Sequence, residues 1–215
     1  MHELNLATWP RREQFYFFKD YDLPFFNVCA DLDVSELRNH LKRQGGSFFL
    51  ASLFLSMRAA NRVEPFRYRM RGEKVVVHEV VHGGSTVLRA DDTFGFCYFN
   101  FQPDFGDFER SAQAVLTRFR SGAPRLNPED NRDDLIHYSV LPWVSFTSFS
   151  HARRFKTGDT VPKMVFGKFY ERDRRWLMPV SVEVHHGLMD GLHVGRFFEA
   201  FQADLADPAA CLAGA

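Results

Sequence analysis

The sequence has no net charge and no long apolar run, and each absence excludes a class of protein. Lys plus Arg and Asp plus Glu both number 27. Such a balance gives no electrostatic reason to bind nucleic acid or an anionic membrane. No apolar run approaches the roughly 20 residues of a membrane span, and MHELNLATWPRREQF at the start lacks an apolar signal core. We therefore predict a cytoplasmic protein with no nucleic-acid or membrane partner.

Cysteine is also scarce. Cys29, Cys97 and Cys211 are far apart and form no CxxC pair, which argues against a disulfide framework or a structural zinc site and fits a reducing compartment. A metal site built on histidines would need a third ligand, for which only His193 or His151 offers itself. We predict no metal.

Phenylalanine, by contrast, is abundant, with 24 residues in a chain of 215. This length suits a single domain over residues 1–215 and is long enough to bury a core. So many aromatic rings could fill that core, line an apolar pocket or cover a subunit interface.

The spacing of apolar residues predicts a mixture of helices and strands. Helical periodicity marks three segments: Phe48–Arg62, Asp104–Arg120 and about Leu192–Leu205. Alternation marks a hairpin from Phe66 through a turn at Gly72 to Val77. Further strands are predicted at Ser85–Leu88, Thr93–Phe101, Leu135–Val140, Trp143–Phe149, Val161–Phe169 and Trp176–His185, with a loop at Ser121–Asp134. The irregular order of these elements predicts an α/β protein of the α+β sandwich type, with helices packed on a mixed β-sheet.

The stretch VEVHHGLMDGLHVGRFFEAF carries candidate chemistry. Strand alternation places His186 on the face of Val182 and Val184, and His185 on the opposite face with Glu183. The two histidines therefore point in opposite directions. His186 ends the apolar face, where desolvation favours the neutral imidazole that a general base requires.

Asp190 has two interpretations. It stands where a helix begins, so it is a candidate N-cap. HxxxD also pairs it with His186 as candidate catalytic residues, although a pattern of two residues is weakly specific. The sequence alone leaves both interpretations open.

A second polar group lies in LPWVSFTSFS. In a strand, Val144, Phe146, Ser148 and Ser150 would share one face. The Ser148 hydroxyl could donate to a developing oxyanion, or it could be an ordinary strand serine. No GxSxG motif surrounds it, which argues against a hydrolase nucleophile.

Taken together, four segments resemble the chloramphenicol acetyltransferase family of the trimeric, HHxxxDG type. They are WPRREQF, LPWVSFTSF, FGKFYERDRRWLMPVSVEVHH and HHGLMDGLHVGRFFEAFQ, in that order over nearly the whole chain. Dihydrolipoyl acyltransferases and condensation domains carry motifs similar to the last segment, but the first two segments favour the chloramphenicol enzymes.

The resemblance implies a role for each matching residue. His186 would be the general base for an acceptor hydroxyl that attacks acetyl-CoA, and Ser148 would donate to the tetrahedral oxyanion. Arg11 and Asp190 would form a structural ion pair. The reaction would be direct transfer in a ternary complex, with acetyl-CoA as co-substrate and chloramphenicol as the small-molecule acceptor, which would confer antibiotic resistance.

The resemblance also implies where the substrates bind. Lys168 and Phe169 would approach coenzyme A, with Phe169 replacing a tyrosine. The acceptor pocket would be lined by Phe17, Phe18, Phe25 and Phe94. The active site would lie at a subunit interface, so a homotrimer is implied.

The sequence departs from the family pattern after Ser148. Residues Ser150–Phe155 differ from it, and Val165 stands where the family has a threonine. Arg153, Arg154 and Lys156 lie close to the expected acceptor region, although a solvated loop is the ordinary interpretation of such basic residues. These departures leave two alternatives open: an acetyltransferase with a different hydroxyl or amine acceptor, and a non-catalytic trimeric binding protein.

Overall fold

The computed structural model describes residues 1–122, 132–153 and 158–213, in which helices pack against a mixed β-sheet. The helices are α1 (Arg12–Phe18), α2 (Ser35–Gln44), α3 (Phe48–Arg62), α4 (Phe105–Arg120), α5 (Gly191–Ala206) and α6 (Pro208–Leu212), with a 3-10 turn at Glu64–Arg67. The strands are β1 (His2–Glu3), β2 (Phe25–Asp33), β3 (Tyr68–Arg71), β4 (Lys74–Val77), β5 (His82–Leu88), β6 (Phe94–Phe99), β7 (Leu135–Leu141), β8 (Lys163–Gly167), β9 (Tyr170–Arg172) and β10 (Arg175–His185).

The main sheet confirms the predicted mixed architecture. Its strand order is β2-β10-β8-β7-β5-β6, and β9 pairs with the beginning of β10. The β5–β7 and β7–β8 pairs are parallel, whereas the other pairs are antiparallel. A small second sheet, β1-β4-β3, contains the predicted hairpin. The strand β10, which leads to the HHxxxDG stretch, therefore lies between β2 and β8.

The helices predicted from apolar periodicity are present. Helix α3 has the predicted bounds, and the Ser47 hydroxyl at its start accepts from the Leu50 amide. Its turns are almost wholly buried in a core shared with α4, α5 and the valine face of β10. Helix α4 begins one residue later than predicted because the Asp104 side chain caps it by accepting from the Asp107 amide.

The predicted strand at Trp143–Phe149 is wrong. The pairing of β7 with β5 ends at Tyr138 and its pairing with β8 ends at Leu141, so neither neighbour pairs with the residues that follow. The chain instead turns after Leu141 and runs irregularly, with Trp143 63% and Val144 54% exposed. The alternating faces predicted for Ser148 therefore do not exist.

Other elements were not predicted from the sequence. These are α1, α2, α6, β1, β2 and β9. The most important is β2, an edge strand whose residues are mostly half-buried. From Phe26 to Asp33 its apolar and polar residues alternate, with Phe26, Val28 and Leu32 on the face that packs on the core, so it carries a period-two signal that the predicted strands omit. Its pairing with all of Leu177–His185 defines it.

Part of the predicted loop Ser121–Asp134 lies outside the described residues, as do Arg154, Phe155 and Lys156. The described ends of that loop contain no regular structure until β7 begins. None of the helices in the described ranges is both long enough and apolar enough to cross a bilayer.

Candidate active site

The end of β10 sends its two histidines to opposite sides of the sheet. His185 pairs with Phe25 of β2, and its ring meets the Phe25 ring edge-on at a centroid distance of 5.2 Å. The next residue, His186, leaves the strand, and its amide donates to the Pro24 carbonyl at 2.7 Å. Its ring contacts Phe26, which is paired with Val184. The predicted separation of the two histidines is therefore confirmed.

The His186 ring is held by aromatic neighbours. It stacks on Phe18 of α1 at 4.0 Å with an interplanar angle of 7°, and it tilts against Phe26 at 4.7 Å. Its Nδ1 atom is buried and has no hydrogen-bond partner within the described residues. The residue as a whole is only half-buried. The ring is thus fixed in an apolar setting yet can be reached from outside.

His185 is in a different situation. Only 2% of the residue is exposed, and its Nδ1 accepts a hydrogen bond from the Gly187 amide at 3.1 Å. Burial, with a smaller contribution from Arg153, lowers the pKa of His185 to about 4. A neutral imidazole that accepts from its own turn has a structural role.

Arg11 lies at the start of α1 and connects this helix to the turn that carries His186. Its guanidinium pairs with the Asp190 carboxylate, and its Nη2 donates to the His186 carbonyl at 3.2 Å. Because both contacts come from one planar group, Arg11 fixes the backbone of His186 relative to Asp190. In the described chain no hydrogen bond or ion pair joins Asp190 to the His186 ring, and the two residues are linked through Arg11.

Asp190 fulfils the capping interpretation and also forms the ion pair with Arg11 that the family resemblance implies. As the N-cap of α5, its side chain accepts from the Leu192 amide at 3.1 Å, while its own amide donates to His193 Nδ1 at 3.1 Å. Burial opposes its ionisation, but Arg11 and then His193 outweigh burial and hold the pKa of Asp190 below its usual value. Capping and ion pairing therefore coexist in one carboxylate.

Ser148 lies on the irregular segment that follows β7 and is exposed. Ser145 donates from its hydroxyl to the Lys168 carbonyl at 2.7 Å, and the Lys168 amide donates to the Val144 carbonyl at 3.0 Å. The ring of Phe146 packs so closely on Gly167 that a Cβ there would lie 2.9 Å from it. The start of the segment is thus tied to β8, whereas no hydrogen bond joins Ser148 to His186 in the described part of one chain.

The predicted acceptor-pocket residues fall into two groups. Phe18 stacks on the His186 ring, and Phe17 packs on Phe18 at 4.9 Å while remaining 63% exposed. Phe25 contacts His185. Phe94 is 50% exposed on β6, at the opposite edge of the main sheet from β2. A single chain therefore brings three of the four phenylalanines to the histidine turn and leaves Phe94 at the far edge.

The predicted coenzyme A residues follow β8. Lys168 is exposed, and Phe169 is half-buried. The Phe169 ring packs on Phe48 at 5.1 Å and on Trp176 at 5.6 Å. Val165, where the family threonine is absent, is fully buried.

Arg153 is not in a solvated loop, contrary to the ordinary interpretation of its basic neighbourhood. Only 2% of its side chain is exposed, and its Nε pairs with Glu183. Its guanidinium carbon lies 3.8 Å from the centroid of the Phe25 ring. Nothing local in the sequence marks this burial. The one available signal was the position of Glu183 on the polar side of β10, where a charge needs a partner.

Comparison with known proteins gives a consistent result. Residues 1–202 match the family described as chloramphenicol acetyltransferase. A chloramphenicol acetyltransferase of Streptomyces acrimycini is 34% identical over 96% of this chain and 94% of its own. A solved chloramphenicol acetyltransferase is 26% identical with a TM-score of 0.89, covering 95% of this chain and 100% of that one. An Azotobacter vinelandii dihydrolipoamide acetyltransferase, 18% identical with a TM-score of 0.64 over 94% of this chain and 88% of its own, shows the shared fold alone.

Proposed function

Since the chain belongs to the chloramphenicol acetyltransferase family, we propose that it transfers the acetyl group of acetyl-CoA to a hydroxyl of chloramphenicol and so inactivates the antibiotic. The observation that carries the proposal is the fixed, partly accessible imidazole of His186, the second histidine of the HHxxxDG motif. Phe18 stacks on its ring, and the Arg11–Asp190 pair holds its backbone. The fold is that of the family, as the TM-score of 0.89 indicates.

His186 serves as the general base in this proposal. Its buried Nδ1 leaves Nε2 as the ring nitrogen that a substrate hydroxyl can approach. The neutral tautomer with hydrogen on Nδ1 presents the Nε2 lone pair to that hydroxyl. As Nε2 takes the proton, the hydroxyl oxygen attacks the thioester carbonyl carbon.

Ser148 stabilises the intermediate that this attack creates. Its hydroxyl donates to the oxyanion of the tetrahedral intermediate, where charge develops. Collapse of the intermediate breaks the carbon–sulfur bond, and the departing thiolate receives the proton held by His186. Acetyl passes directly between substrates bound together, with no acyl-enzyme.

The site is completed by a second copy of the chain. Phe94 and Phe17 are exposed on parts of the chain that one copy does not bring together, and Trp143 near Ser148 is 63% exposed. Large exposed aromatic residues suit a subunit interface. The family resemblance implies a homotrimer in which His186 of one copy faces acceptor-pocket residues of its neighbour, and these exposed aromatic residues support such an interface.

The remaining assignments follow the family resemblance. Lys168 is exposed and available to a coenzyme A phosphate, while the packed Phe169 supports the wall behind it. The 215 residues act as one catalytic domain. The free thiols of Cys29, Cys97 and Cys211 suit a reducing cytoplasm.

A different acceptor is the second candidate function, and the departures near Ser148 favour it. Val165 removes a hydroxyl at a buried position of β8, and Arg153 introduces a buried cation behind Phe25. Either change alters the acceptor side of the site while leaving His186 and Ser148 in place.

The test is the release of thiol from acetyl-CoA by the purified protein, with chloramphenicol and with a panel of other hydroxyl and amine compounds. Chloramphenicol-dependent release by the wild-type protein, and its loss in His186→Ala, is the expected result. Release with another acceptor alone favours the second candidate. No release with any acceptor, with normal trimer formation and ligand binding, contradicts both and indicates a binding protein.

A further inference from the structure

Residues 143–153, which we call the strap, lie on the face of β8 that points away from the helices. Strand alternation places Lys163, Val165 and Gly167 on this face, since the residues between them belong to the helix-covered core. The strap contacts this face at both of its ends, and Val165, which lies between the two contacts, is 0% exposed. The strap therefore runs along β8.

The start of the strap is held by three successive residues. The Val144 carbonyl accepts from the Lys168 amide at 3.0 Å, and the Ser145 hydroxyl donates to the Lys168 carbonyl at 2.7 Å. The Phe146 ring packs against Gly167, where a Cβ would lie 2.9 Å from it. Because three residues share this attachment, loss of the Ser145 hydroxyl alone leaves the start in place.

The end of the strap depends instead on buried charges. Arg153, whose side chain is 2% exposed, pairs through Nε with Glu183 of β10. Lys163, the register partner of Glu183, donates from Nζ to the Ala152 carbonyl at 2.7 Å. Asp159 lies 3.4 Å from Arg153 and 3.7 Å from Lys163. Two cations and two carboxylates therefore balance one another at this end.

We propose that Arg153 and Glu183 form a latch that holds the strap on the sheet and thereby fixes the position of Ser148, which lies between the two attached ends. Ser148 is exposed, so its place is set by the residues on either side of it. A buried ion pair resists rearrangement, because separating its members leaves an uncompensated charge. The effect of the latch on catalysis rests on the proposed function, in which Ser148 donates to the oxyanion.

The latch is tested with the double variant Arg153→Met, Glu183→Gln, which removes both charges and leaves neither buried alone. We expect hydrogen exchange of the strap amides to become about tenfold faster, because local opening no longer separates an ion pair. Unchanged exchange overturns the proposal. Should the double variant not fold, Arg153→Lys, which keeps the charge but loses the planar guanidinium, is measured in the same way.

Arg58→Met is the matched control. Arg58 pairs with the buried carboxylate of Asp204 in the helical layer at 2.6 Å, and Arg62 pairs with the same carboxylate at 2.5 Å. The control therefore removes a cation from an ion pair without leaving the carboxylate alone. It should lower Tm and leave exchange of the strap unchanged. Equally fast exchange of the strap in the control and in the double variant overturns the latch, since any loss of stability would then open the strap.

Kinetics test the consequence for Ser148. The double variant should lower kcat about tenfold and keep KM for chloramphenicol and for acetyl-CoA within about twofold, because a displaced donor affects the oxyanion and not ground-state binding. In a Ser148→Ala background the same double change should lower kcat by no more than about a further twofold, because the group that it positions is already absent. An unchanged kcat in the double variant overturns the positioning role.

A second route to the site is separated by the same measurement. The guanidinium carbon of Arg153 also lies 3.8 Å from the centroid of the Phe25 ring, and Phe25 is the register partner of His185. If the latch acted through the histidine turn, its loss and the loss of Ser148 would multiply. Multiplied losses therefore overturn the role in positioning Ser148.

Failure of the proposed function is distinguishable, since wild-type protein would then release no thiol with chloramphenicol. Hydrogen exchange does not depend on turnover and decides the latch in that event as well. Faster exchange of the strap in the double variant alone supports the latch, and equal rates in the double variant and the wild type overturn it.

Discussion

The turn after β10 and the segment after β7 carry the two assigned catalytic side chains, and one chain holds them very differently. The backbone of His186 is bound on both sides, by the Pro24 carbonyl and by Arg11, and its ring stacks on Phe18. Ser148 is exposed on an irregular segment, and its hydroxyl has no hydrogen-bond partner in the described ranges of the chain.

The difference indicates how the site is assembled. The proposed base, His186, is preorganised within one chain, so its orientation would cost little at the moment of reaction. The proposed oxyanion donor, Ser148, lies on a surface that also exposes Trp143 and Val144, and in the proposed homotrimer a second copy would cover and order this surface. The following predictions test this contrast.

Replacing the preorganised base has the largest expected effect. His186→Ala should lower kcat by at least ~10²–10⁴-fold, since no other group can accept the proton from the same position. His185→Gln is the matched change one residue earlier. It should lower Tm and leave kcat largely unchanged, because His185 is buried and hydrogen-bonded within its turn. Steady-state kinetics and thermal melts measure both. Equal losses of kcat would remove the distinction between the two histidines.

Replacing the exposed donor should affect activity without affecting stability. Ser148→Ala is expected to lower kcat by roughly 10²–10³-fold, which is typical for an oxyanion donor, with an unchanged Tm. Ser145→Ala should show the reverse pattern and lose about 1 kcal/mol of unfolding free energy, because its hydroxyl donates to the Lys168 carbonyl. A fall in Tm for Ser148→Ala would show that the hydroxyl is structurally bonded.

The two roles of Asp190, as the cap of α5 and as the ion-pair partner of Arg11, can be tested separately. Asp190→Asn keeps an oxygen to cap α5 but leaves Arg11, 14% exposed, without its carboxylate. We expect a loss in kcat of about tenfold, because Arg11 no longer fixes the His186 carbonyl. Asp190→Ala should cost about 1 kcal/mol more unfolding free energy than Asp190→Asn, since it also removes the cap. Equal stability of the two variants would argue against the capping role.

Acid should lower the free energy of unfolding of the whole chain gradually. Burial lowers the pKa of His185, His137 and His151 to about 4, below the ordinary 6.5. Between these values the unfolded chain binds protons that the folded chain does not, so stability falls as pH drops from about 6.5 to 4. Urea unfolding at fixed protein concentration should show this fall. The free energy of unfolding of His185→Gln should change less steeply with pH than that of the wild type. An identical slope would mean that His185 does not titrate on unfolding.

The sequence predicts those elements whose stabilising contacts lie within a few residues of one another. Helix α3 has the predicted bounds because its apolar spacing and its Ser47 cap act within a few residues. The strand predicted at Trp143–Phe149 is absent because the pairing with β5 and β8, which come from distant segments, ends at Leu141. Edge strand β2 is a different case, because its residues alternate locally from Phe26 to Asp33 and the prediction missed it nonetheless; only its pairing with β10, more than 140 residues away, is non-local.

The site shows the same division. Alternation placed His186 and His185 on opposite faces, and Asp190 fitted the pattern of a helix cap, so both were found from neighbouring residues. The pairing of Arg11 with Asp190 spans 179 positions and came only from family resemblance. The burial of Arg153 depends on Glu183, 30 positions away, and no local pattern announced it.

The most direct test of the shared site is complementation between two inactive variants. His186→Ala and Ser148→Ala chains, each with a different affinity tag, are co-expressed and the mixed oligomers are purified. If His186 of one copy works with Ser148 of its neighbour, about a quarter of the sites in randomly mixed trimers should be intact. Chloramphenicol-dependent thiol release should therefore recover to roughly that fraction of the wild-type rate. Activity no higher than that of either variant alone, in oligomers shown to contain both tags, would contradict the account.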